Sequence, residues 1–184
     1  MQHFKLKYVP NKHQADFHSD NVSRFLHLST GFGGGKTYSL AMKMLKLSIL
    51  NKNMAGGLVV VDYPEFKKDI LPEFENILEA NRIPFRFHQT EKWFKFPWST
   101  GKLYVVSAEK PIRGPNWAYC GFNEVTLIPL LRYKEGIGRV RIKGAKCPQI
   151  ISSGTPEGHI SEYYEYMIEN PPKGFRIIYG STDD

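Results

Sequence analysis

A run of small residues that ends in lysine and threonine has the most specific chemistry in this sequence. It reads Thr30-Gly31-Phe32-Gly33-Gly34-Gly35-Lys36-Thr37. It follows the pattern GxxxxGK[ST], with Thr30 at the position of the first glycine. Glycines let successive backbone N–H groups turn towards one concave anion site, and a following helix adds the positive end of its dipole. The pattern predicts a phosphate-binding loop in which Lys36 contacts the β- and γ-phosphates of a nucleotide and the Thr37 hydroxyl binds Mg²⁺.

A second candidate for chemistry is the end of the apolar segment 118–122, which is followed by Asn123 and Glu124. An acidic pair at a strand end divides the work of phosphate cleavage: the first residue holds Mg²⁺ through water, and the second orients and deprotonates the attacking water. Glu124 is therefore the candidate general base, with a solvated loop residue as the alternative. Asn123 brings no negative charge, so we expect weaker metal binding. Asp62 is a candidate for the missing acid, although a helix cap is its favoured interpretation.

Two further segments hold candidate site residues. Ser153 and Thr155 lie where the segment 149–152 runs into a turn, and ends of parallel strands lie beside a nucleotide at the carboxyl edge of a sheet. They are candidates to sense the γ-phosphate, and a plain strand-to-turn junction is an equal alternative. Upstream, the amide of Gln14 is able to pair with N6 and N7 of adenine while Phe17 stacks on the ring, although most glutamines are only solvated.

The elements that must position these residues follow from the hydrophobic pattern. The predicted strands are 22–28, 58–61, 85–87, 93–97, 102–107, 118–122, 149–152 and 175–179. The predicted helices are 36–50, 160–169 and 65–81, the last kinked or divided at Pro72. Strands that alternate with helices predict an α/β fold with a mostly parallel central sheet and helices on both faces. Together with the glycine-rich loop from Thr30 to Thr37, this favours the P-loop NTPase class (RecA-like, ASCE type). A strand before the loop and a helix after it disfavour a chance Lys-Thr pair in an ordinary turn.

The composition and length of the chain limit the classes of protein to which it can belong. A chain of 184 residues with a net charge of +7 predicts one basic domain, and a polyanionic partner is compatible with that charge. Cys120 and Cys147 lack CxxC spacing, which indicates reduced thiols rather than a zinc site. No apolar run approaches the ~20 residues needed to span a bilayer, so no membrane partner and a cytoplasmic address are expected. The sequence stops directly after a strand, which favours the first domain of a longer protein, with a complete small protein as the alternative.

In their order along the chain, these segments resemble the ATPase domain of the large terminase subunit, the DNA-packaging motor of tailed bacteriophages. The resemblance covers nearly the whole chain. It rests on Pro10, Gln14 and Phe17, the loop from Thr30 to Thr37, Arg113-Gly114, the strand that ends in Asn123-Glu124, Arg139-Val140-Arg141, and Ser153-Gly154-Thr155-Pro156. Each segment alone is common, but their order is specific.

The resemblance implies an ATPase that uses ATP and Mg²⁺ to move double-stranded DNA, without sequence preference, into a procapsid in the host cytoplasm. It implies a homo-oligomeric ring docked on a portal, together with a small terminase subunit. Arg113 matches the family position proposed to act in trans on the transferring phosphate, with Arg139 and Arg141 as runners-up. Thr182 falls in a Ser/Thr-rich coupling segment. Residues 1–184 are then an N-terminal ATPase domain from which the C-terminal nuclease domain is absent, so no nuclease activity is expected.

Two departures from the family pattern and several alternatives stand beside this interpretation. Phe32 occupies a loop position where terminases usually carry arginine, and Asn123 replaces an aspartate. A helicase-like DNA-dependent ATPase would share the fold. A nucleotide kinase would use arginines of the basic stretch 132–146 as a lid, and a nucleotide-binding scaffold would not turn over at all. For a DNA motor, the same basic stretch is the candidate phosphate-contacting surface, with a solvated face or a subunit contact as the alternative.

Overall fold

The computed structural model describes residues 7–156 and 161–181, in which helices flank an eight-stranded sheet. The strands are β1 Phe25–Thr30, β2 Gly56–Val60, β3 Arg86–His88, β4 Trp93–Lys95, β5 Lys102–Ser107, β6 Tyr119–Phe122, β7 Ile150–Gly154 and β8 Phe175–Gly180. The helices are α1 Lys12–Ser19, α2 Lys36–Leu50, α3 Tyr63–Glu65, α4 Leu71–Ala80 and α5 Leu130–Ile137, with π-helical segments at Phe66–Ile70 and Tyr164–Glu169. Within these described ranges, no helix has the length and apolar character to cross a bilayer.

The strand order places the two predicted chemical segments at one edge of the sheet. The order is β3-β4-β5-β2-β6-β7-β1-β8, and all pairs are parallel except β3–β4 and β4–β5. The strand before the glycine-rich loop, β1, is therefore separated from the strand before Glu124, β6, by the single strand β7. The mostly parallel sheet predicted from the sequence is confirmed.

Two apolar clusters cover the two faces of the sheet. One contains Leu58 and Val60 of β2 and the buried faces of α2 and α4, and the other contains Val59 with Tyr133 of α5 and Tyr163 beside the last helical segment. Successive residues of β2 thus enter opposite clusters, as expected for a central strand that is buried on both sides. This double burial confirms the expectation of helices on both faces.

Several element boundaries differ from the sequence prediction for identifiable reasons. The strand β1 begins at Phe25 rather than at residue 22, because Asp20 Oδ1 accepts the N–H groups of Val22 and Ser23, both at 2.9 Å, and turns the chain there. The expected break near Pro72 takes the form of a π-helical turn immediately before α4. The helix α5 was not predicted at all. The predicted start of the last helix at residue 160 lies outside the described residues.

Asp20, at the end of α1, contacts α2, β8 and the segments that lead into β1 and β7. Its carboxylate accepts hydrogen bonds from Ser23 and from Arg176 of β8, and its backbone carbonyl accepts from Lys43 of α2 and from Gln149. Burial alone would raise the pKa of the Asp20 carboxyl, but the bonds from Ser23, Val22 and Arg176 hold it well below its usual range. Burial lowers the pKa of Lys43 to about 8. These contacts fix α1, which ends at Ser19, relative to α2 and β1.

We expect Asp20→Asn to lower the free energy of unfolding at pH 7 by about 1–3 kcal/mol, because it removes a buried charged acceptor. The folded-state pKa of Asp20 is lowered, so its stabilising contribution is complete above the unfolded-state value of about 4 and is lost as the pH falls below it. Urea unfolding at pH 7 and pH 3 measures this, and the gap between variant and wild type should narrow at pH 3. The exposed Asp16→Asn is the control. Equal stability of Asp20→Asn and wild type at pH 7 would contradict the prediction.

Candidate functional site

The glycine-rich loop connects β1 to α2, and geometry requires its three consecutive glycines, 33 to 35. Gly33 and Gly35 adopt φ values of 77° and 68°, in the left-handed region that favours glycine. At Gly34, a Cβ atom would lie 2.2 Å from Thr30 Oγ1, so no side chain fits. Gly31 has open space around it, and Phe32 is 87% exposed. The three consecutive glycines therefore set the loop shape.

Lys36 folds back over this loop. Its Nζ donates to the carbonyl oxygens of Thr30 and Gly31, both at 3.1 Å, and lies 3.8 Å from Glu124 Oε1. The side chain is only 7% exposed, and its Nζ lies 5.7 Å from the centre of the Phe32 ring. Thr37 follows in the first turn of α2. The Lys36 ammonium group thus has two carbonyl oxygens and one carboxylate as partners. A phosphate that entered the loop would take the place of these acceptors.

Glu124 lies at the end of β6 in a left-handed conformation, with φ 45° and ψ 56°. Its Oε1 faces Lys36, and its Oε2 lies 3.3 Å from the Thr155 backbone nitrogen and 3.4 Å from Thr155 Oγ1. A non-glycine residue in this region costs of order 1–3 kcal/mol and marks a position held by its surroundings, often at a functional site. The structure thus brings together Lys36, Glu124 and Thr155, three of the residues selected from the sequence.

Asn123 and Ser153 face each other at the ends of neighbouring strands. Ser153 Oγ donates to Asn123 Oδ1 at 3.5 Å, and both residues are buried.

Asp62 Oδ1 accepts the N–H of Glu65 at 2.7 Å, which confirms its favoured interpretation as a helix cap. The analysis of the sequence missed Glu65. Burial, followed by the charges of Asp62 and Glu124, raises the pKa of Glu65.

The start of α1 lies against the loop. His13 Nε2 is 3.1 Å from the carbonyl oxygen of Gly34, and a Cβ on Gly180 would lie 2.4 Å from His13 Cγ. Gln14 Nε2 would lie 2.6 Å from a Cβ on Gly35, and its Oε1 accepts the N–H of Asn11 in a capping box. Gln14 therefore lies beside the loop, and its contact with a nucleotide stays a prediction. Stacking of Phe17 on a base was wrong, because Phe17 is fully buried in the core.

Arg113 lies on the exposed connection between β5 and β6. It lines a cleft of about 560 Å³ together with Pro111, Ile112, Leu131, Arg132, Lys134, Glu135, Gly138, Arg139 and Arg141. Arg139 donates to the carbonyl oxygens of Gly114 at 3.0 Å and Ile112 at 3.1 Å, so it holds the connection in place. The acid of the cleft, Glu135, accepts from Arg132 and from the Ile112 N–H. The cleft is therefore strongly cationic. Thr182 lies outside the described residues.

Comparisons of sequence and of structure give different results. No protein-family model matches the chain, and no curated protein matches it either. Among solved structures, the large terminase of a thermophilic bacteriophage superposes with a TM-score of 0.81 at 16% identity, over 94% of this chain and 46% of that one. The chain thus spans about half the length of that terminase. The same terminase in complex with ATP-gamma-S superposes with a TM-score of 0.77 at 15% identity, over 94% of this chain and 45% of that one.

Two structures of separate packaging domains are also similar. The large terminase ATPase domain of Thermus phage P74-26 gives a TM-score of 0.72 at 13% identity, over 96% of this chain and 82% of that one. The N-terminal domain of the DNA packaging ATPase from bacteriophage phi29 gives a TM-score of 0.62 at 14% identity, over 85% of this chain and 90% of that one. Because the likeness extends over nearly all of this chain, the chain has the P-loop NTPase fold found in the ATPase domains of large terminases.

Proposed function

We propose that this chain is the ATP-hydrolysing motor domain of a viral terminase, which drives double-stranded DNA into a procapsid in the host cytoplasm. This proposal rests on one observation: Lys36, Glu124 and Thr155 lie together at the carboxyl edge of the sheet. The likeness in fold to terminase ATPase domains supports it, and a neighbour solved with ATP-gamma-S supports ATP as the nucleotide. In this proposal residues 1–184 are the N-terminal domain of a longer protein, and nuclease activity resides elsewhere.

The residues of the site divide the work of hydrolysis. The loop N–H groups and the start of α2 hold the phosphates, and Lys36 moves from the Thr30 and Gly31 carbonyls to the β- and γ-phosphates. Glu124 orients the attacking water and accepts its proton. Thr155 contacts the Glu124 carboxylate and so senses the state of the γ-phosphate through it. Ser153 senses the γ-phosphate through its hydrogen bond to Asn123.

Mg²⁺ would be held by the Thr37 hydroxyl and, through water, by the amide oxygen of Asn123. Both donors are oxygens, the ligands that Mg²⁺ prefers. When bound, the ion neutralises charge on the β- and γ-phosphates. Burial and the charges of Asp62 and Glu124 raise the pKa of Glu65, so acidic groups lie near this edge although Asn123 is neutral.

We expect Lys36→Ala and Glu124→Gln to fail in different ways. Lys36→Ala removes the cation that contacts the phosphates, so nucleotide binding and turnover are both lost. Glu124→Gln keeps the size and hydrogen bonding of the side chain but removes its basicity, so ATP still binds while turnover falls about 10²–10⁴-fold. Phosphate release in the absence of any acceptor molecule, measured beside nucleotide affinity, tests both variants and distinguishes an ATPase from a kinase.

Matched substitutions on the surface provide the controls. Lys52→Ala and Glu79→Gln change the same residue types at exposed positions and should leave binding and turnover unchanged. Near-normal hydrolysis by Lys36→Ala would overturn the phosphate-loop assignment. A loss of only a few fold in Glu124→Gln would assign water activation to another residue.

Arg113 is proposed to act on the nucleotide of a neighbouring subunit in a homo-oligomeric ring. Its side chain is exposed, and the backbone on either side of it is held by Arg139. An exposed guanidinium on a fixed backbone suits a group that reaches a second molecule, and such an arginine is worth 10³–10⁵-fold in related reactions, on the order of several kcal/mol. Because Arg139 itself donates to two carbonyls, it is better suited to support Arg113 than to replace it.

A mixing experiment tests this role. Arg113→Ala should bind ATP but turn over slowly, and addition of Lys36→Ala, which has an intact Arg113, should restore part of the activity. The reason is that a mixed interface is complete wherever the Arg113→Ala subunit supplies the loop and the Lys36→Ala subunit supplies the arginine. Wild-type activity should rise steeply with protein concentration. If Arg113→Ala equals wild type at every concentration, Arg113 has no part in catalysis.

Double-stranded DNA is proposed to contact the exposed cations around the Arg113 cleft, namely Lys134 and Arg141. Contacts of this kind are made to phosphates and carry no sequence information, as a motor that moves any genome requires. Within a packaging assembly, a portal and a small terminase subunit are the further partners that we propose. Each phosphate contact releases counterions, so affinity depends on salt.

We expect log affinity for duplex DNA to fall linearly with log salt concentration, with a slope near −0.9 for each phosphate contacted. The double variant Lys134→Gln, Arg141→Gln should make the slope shallower by about 0.9 for each phosphate that the protein no longer neutralises. Fluorescence anisotropy with two duplexes of unrelated sequence measures this, and the exposed pair Lys67→Gln, Lys68→Gln is the charge-matched control. A strong preference for one duplex would argue against a translocating motor.

A further inference from the structure

We propose that a row of three cations on one face of the strands β3, β4 and β5 is a second surface that contacts the phosphates of double-stranded DNA. The row consists of Arg86, Lys95 and Lys102. This inference rests on the proposed function of the chain as a DNA motor, and its residues are different from Lys134 and Arg141 of the Arg113 cleft.

The pairing of these strands places the three cations side by side. Arg86 of β3 lies opposite Lys95 of β4, and Lys95 lies opposite Lys102 of β5. Residues directly opposite each other on antiparallel strands share one face of the sheet. Phe94, which precedes Lys95, belongs to the other face and is fully buried in the core. The row therefore lies on the face where Arg86 and Lys95 are exposed to solvent.

Three like charges in one row lower the stability of the free protein. Like charges directly opposite each other on paired strands are destabilising, whereas opposite charges there are stabilising. An acid does contact one end of the row, since Glu91 Oε2 lies 3.9 Å from Lys102 Nζ. Within the described part of the chain, no ion pair involves Arg86 or Lys95. A ligand with several negative charges in a line would relieve this repulsion.

The side chain of Trp93 holds two of the cations in place. Lys102 Nζ lies 4.1 Å and Arg86 Cζ 5.6 Å from the centre of the Trp93 ring, within the range of cation–π attraction. The ring itself is fixed, because His88 stacks on it at 4.9 Å and its Nε1 donates to Glu91 Oε2 at 2.6 Å. Side chains that are already ordered lose less conformational entropy when they bind a ligand.

The position of Trp93 also decides which form of nucleic acid fits this surface. Surfaces that bind single strands stack the bases on aromatic rings, but Trp93 is only 6% exposed. The surface therefore offers charge without an open ring, which suits the phosphates of a duplex. Neighbouring strands of a sheet lie ~4.8 Å apart, so the row spans about 10 Å. Phosphates recur every ~3.4 Å along each strand of a duplex, so each cation is able to contact a different phosphate.

The row and the Arg113 cleft lie on the same face of the sheet. Tyr104, two residues after Lys102 on β5, packs against the apolar cluster that contains Ile112 and the buried side of α5. Alternate residues of a strand point to the same side, so Lys102 is on the side that α5 covers. Ile112 and Lys134 of α5 also line the cleft. One duplex that crosses this side of the sheet is therefore able to contact both surfaces.

Substitution of Lys95 tests the row, because this exposed side chain is in the middle of it. Lys95→Glu should weaken duplex binding about tenfold or more at low salt, and Lys95→Arg, which keeps the charge, should bind as wild type does. The double variant Arg86→Gln, Lys95→Gln should make the slope of log affinity against log salt concentration shallower by about 0.9 for each phosphate lost. Fluorescence anisotropy measures both effects. Lys52→Glu and the pair Lys67→Gln, Lys68→Gln are the exposed, charge-matched controls.

The stability of the same variant distinguishes a contact surface from a folding defect. Lys95→Glu places an acid between Arg86 and Lys102, so its urea midpoint should lie above that of wild type at low salt. This gain should shrink at about 1 M salt, where exposed charges are screened. ATP turnover without DNA should be unchanged. The expected variant is thus more stable than wild type and equally active, yet it binds duplex DNA more weakly.

The opposite results overturn defined parts of the proposal. If Lys95→Glu bound the duplex as wild type does while Lys134→Gln, Arg141→Gln bound it more weakly, the row would have no part in DNA binding and the proposed function would stand. A urea midpoint below that of wild type would contradict repulsion within the row. Displacement of the duplex by polyglutamate of equal charge at the same concentration would assign the row to an acidic protein. If wild type bound no duplex at any salt concentration, the row and the proposed DNA motor would both fail.

Discussion

The buried charge of Lys36 is the constraint on which the site depends. An ammonium group that is 7% exposed needs polar partners, since an uncompensated buried charge costs several kcal/mol. Those partners come from three places: the last residue of β1, the first glycine of the loop, and Glu124 at the end of β6. Because β7 lies between β1 and β6, the sheet must bring the ends of these two separated strands to the same edge for this charge to be satisfied. The strand order and the strained backbone of Glu124 both meet that requirement.

Local signals in the sequence were sufficient for the elements nearest the chemistry. The bounds of α2 were predicted correctly, because Gly35 precedes the helix and its apolar residues recur at helical spacing up to Leu50. The glycine-rich loop and the strand ends at Glu124 and Thr155 were likewise visible, since each couples a buried strand to polar residues. The parallel arrangement followed from the alternation of strands and helices.

What was missed depends on contacts between distant parts of the chain. The helix α5 contains Gly136, a poor helix former, and the glycine is needed because a Cβ there would lie 2.7 Å from the Phe122 ring. Phe17 was assigned to a base because nothing local shows that it enters the core. The support that Arg139 gives to the connection at Arg113 spans 25 residues of sequence and has no local signature.

The contact between α1 and the last residue of β8 has a mechanical consequence. The His13 imidazole is wedged between the Gly34 carbonyl of the loop and Gly180, where there is no space even for a methyl group. Close packing of this kind leaves no slack, and packed interiors transmit displacement rather than absorb it. We therefore expect a displacement of the Gly34 peptide to be passed through the His13 ring to the end of β8.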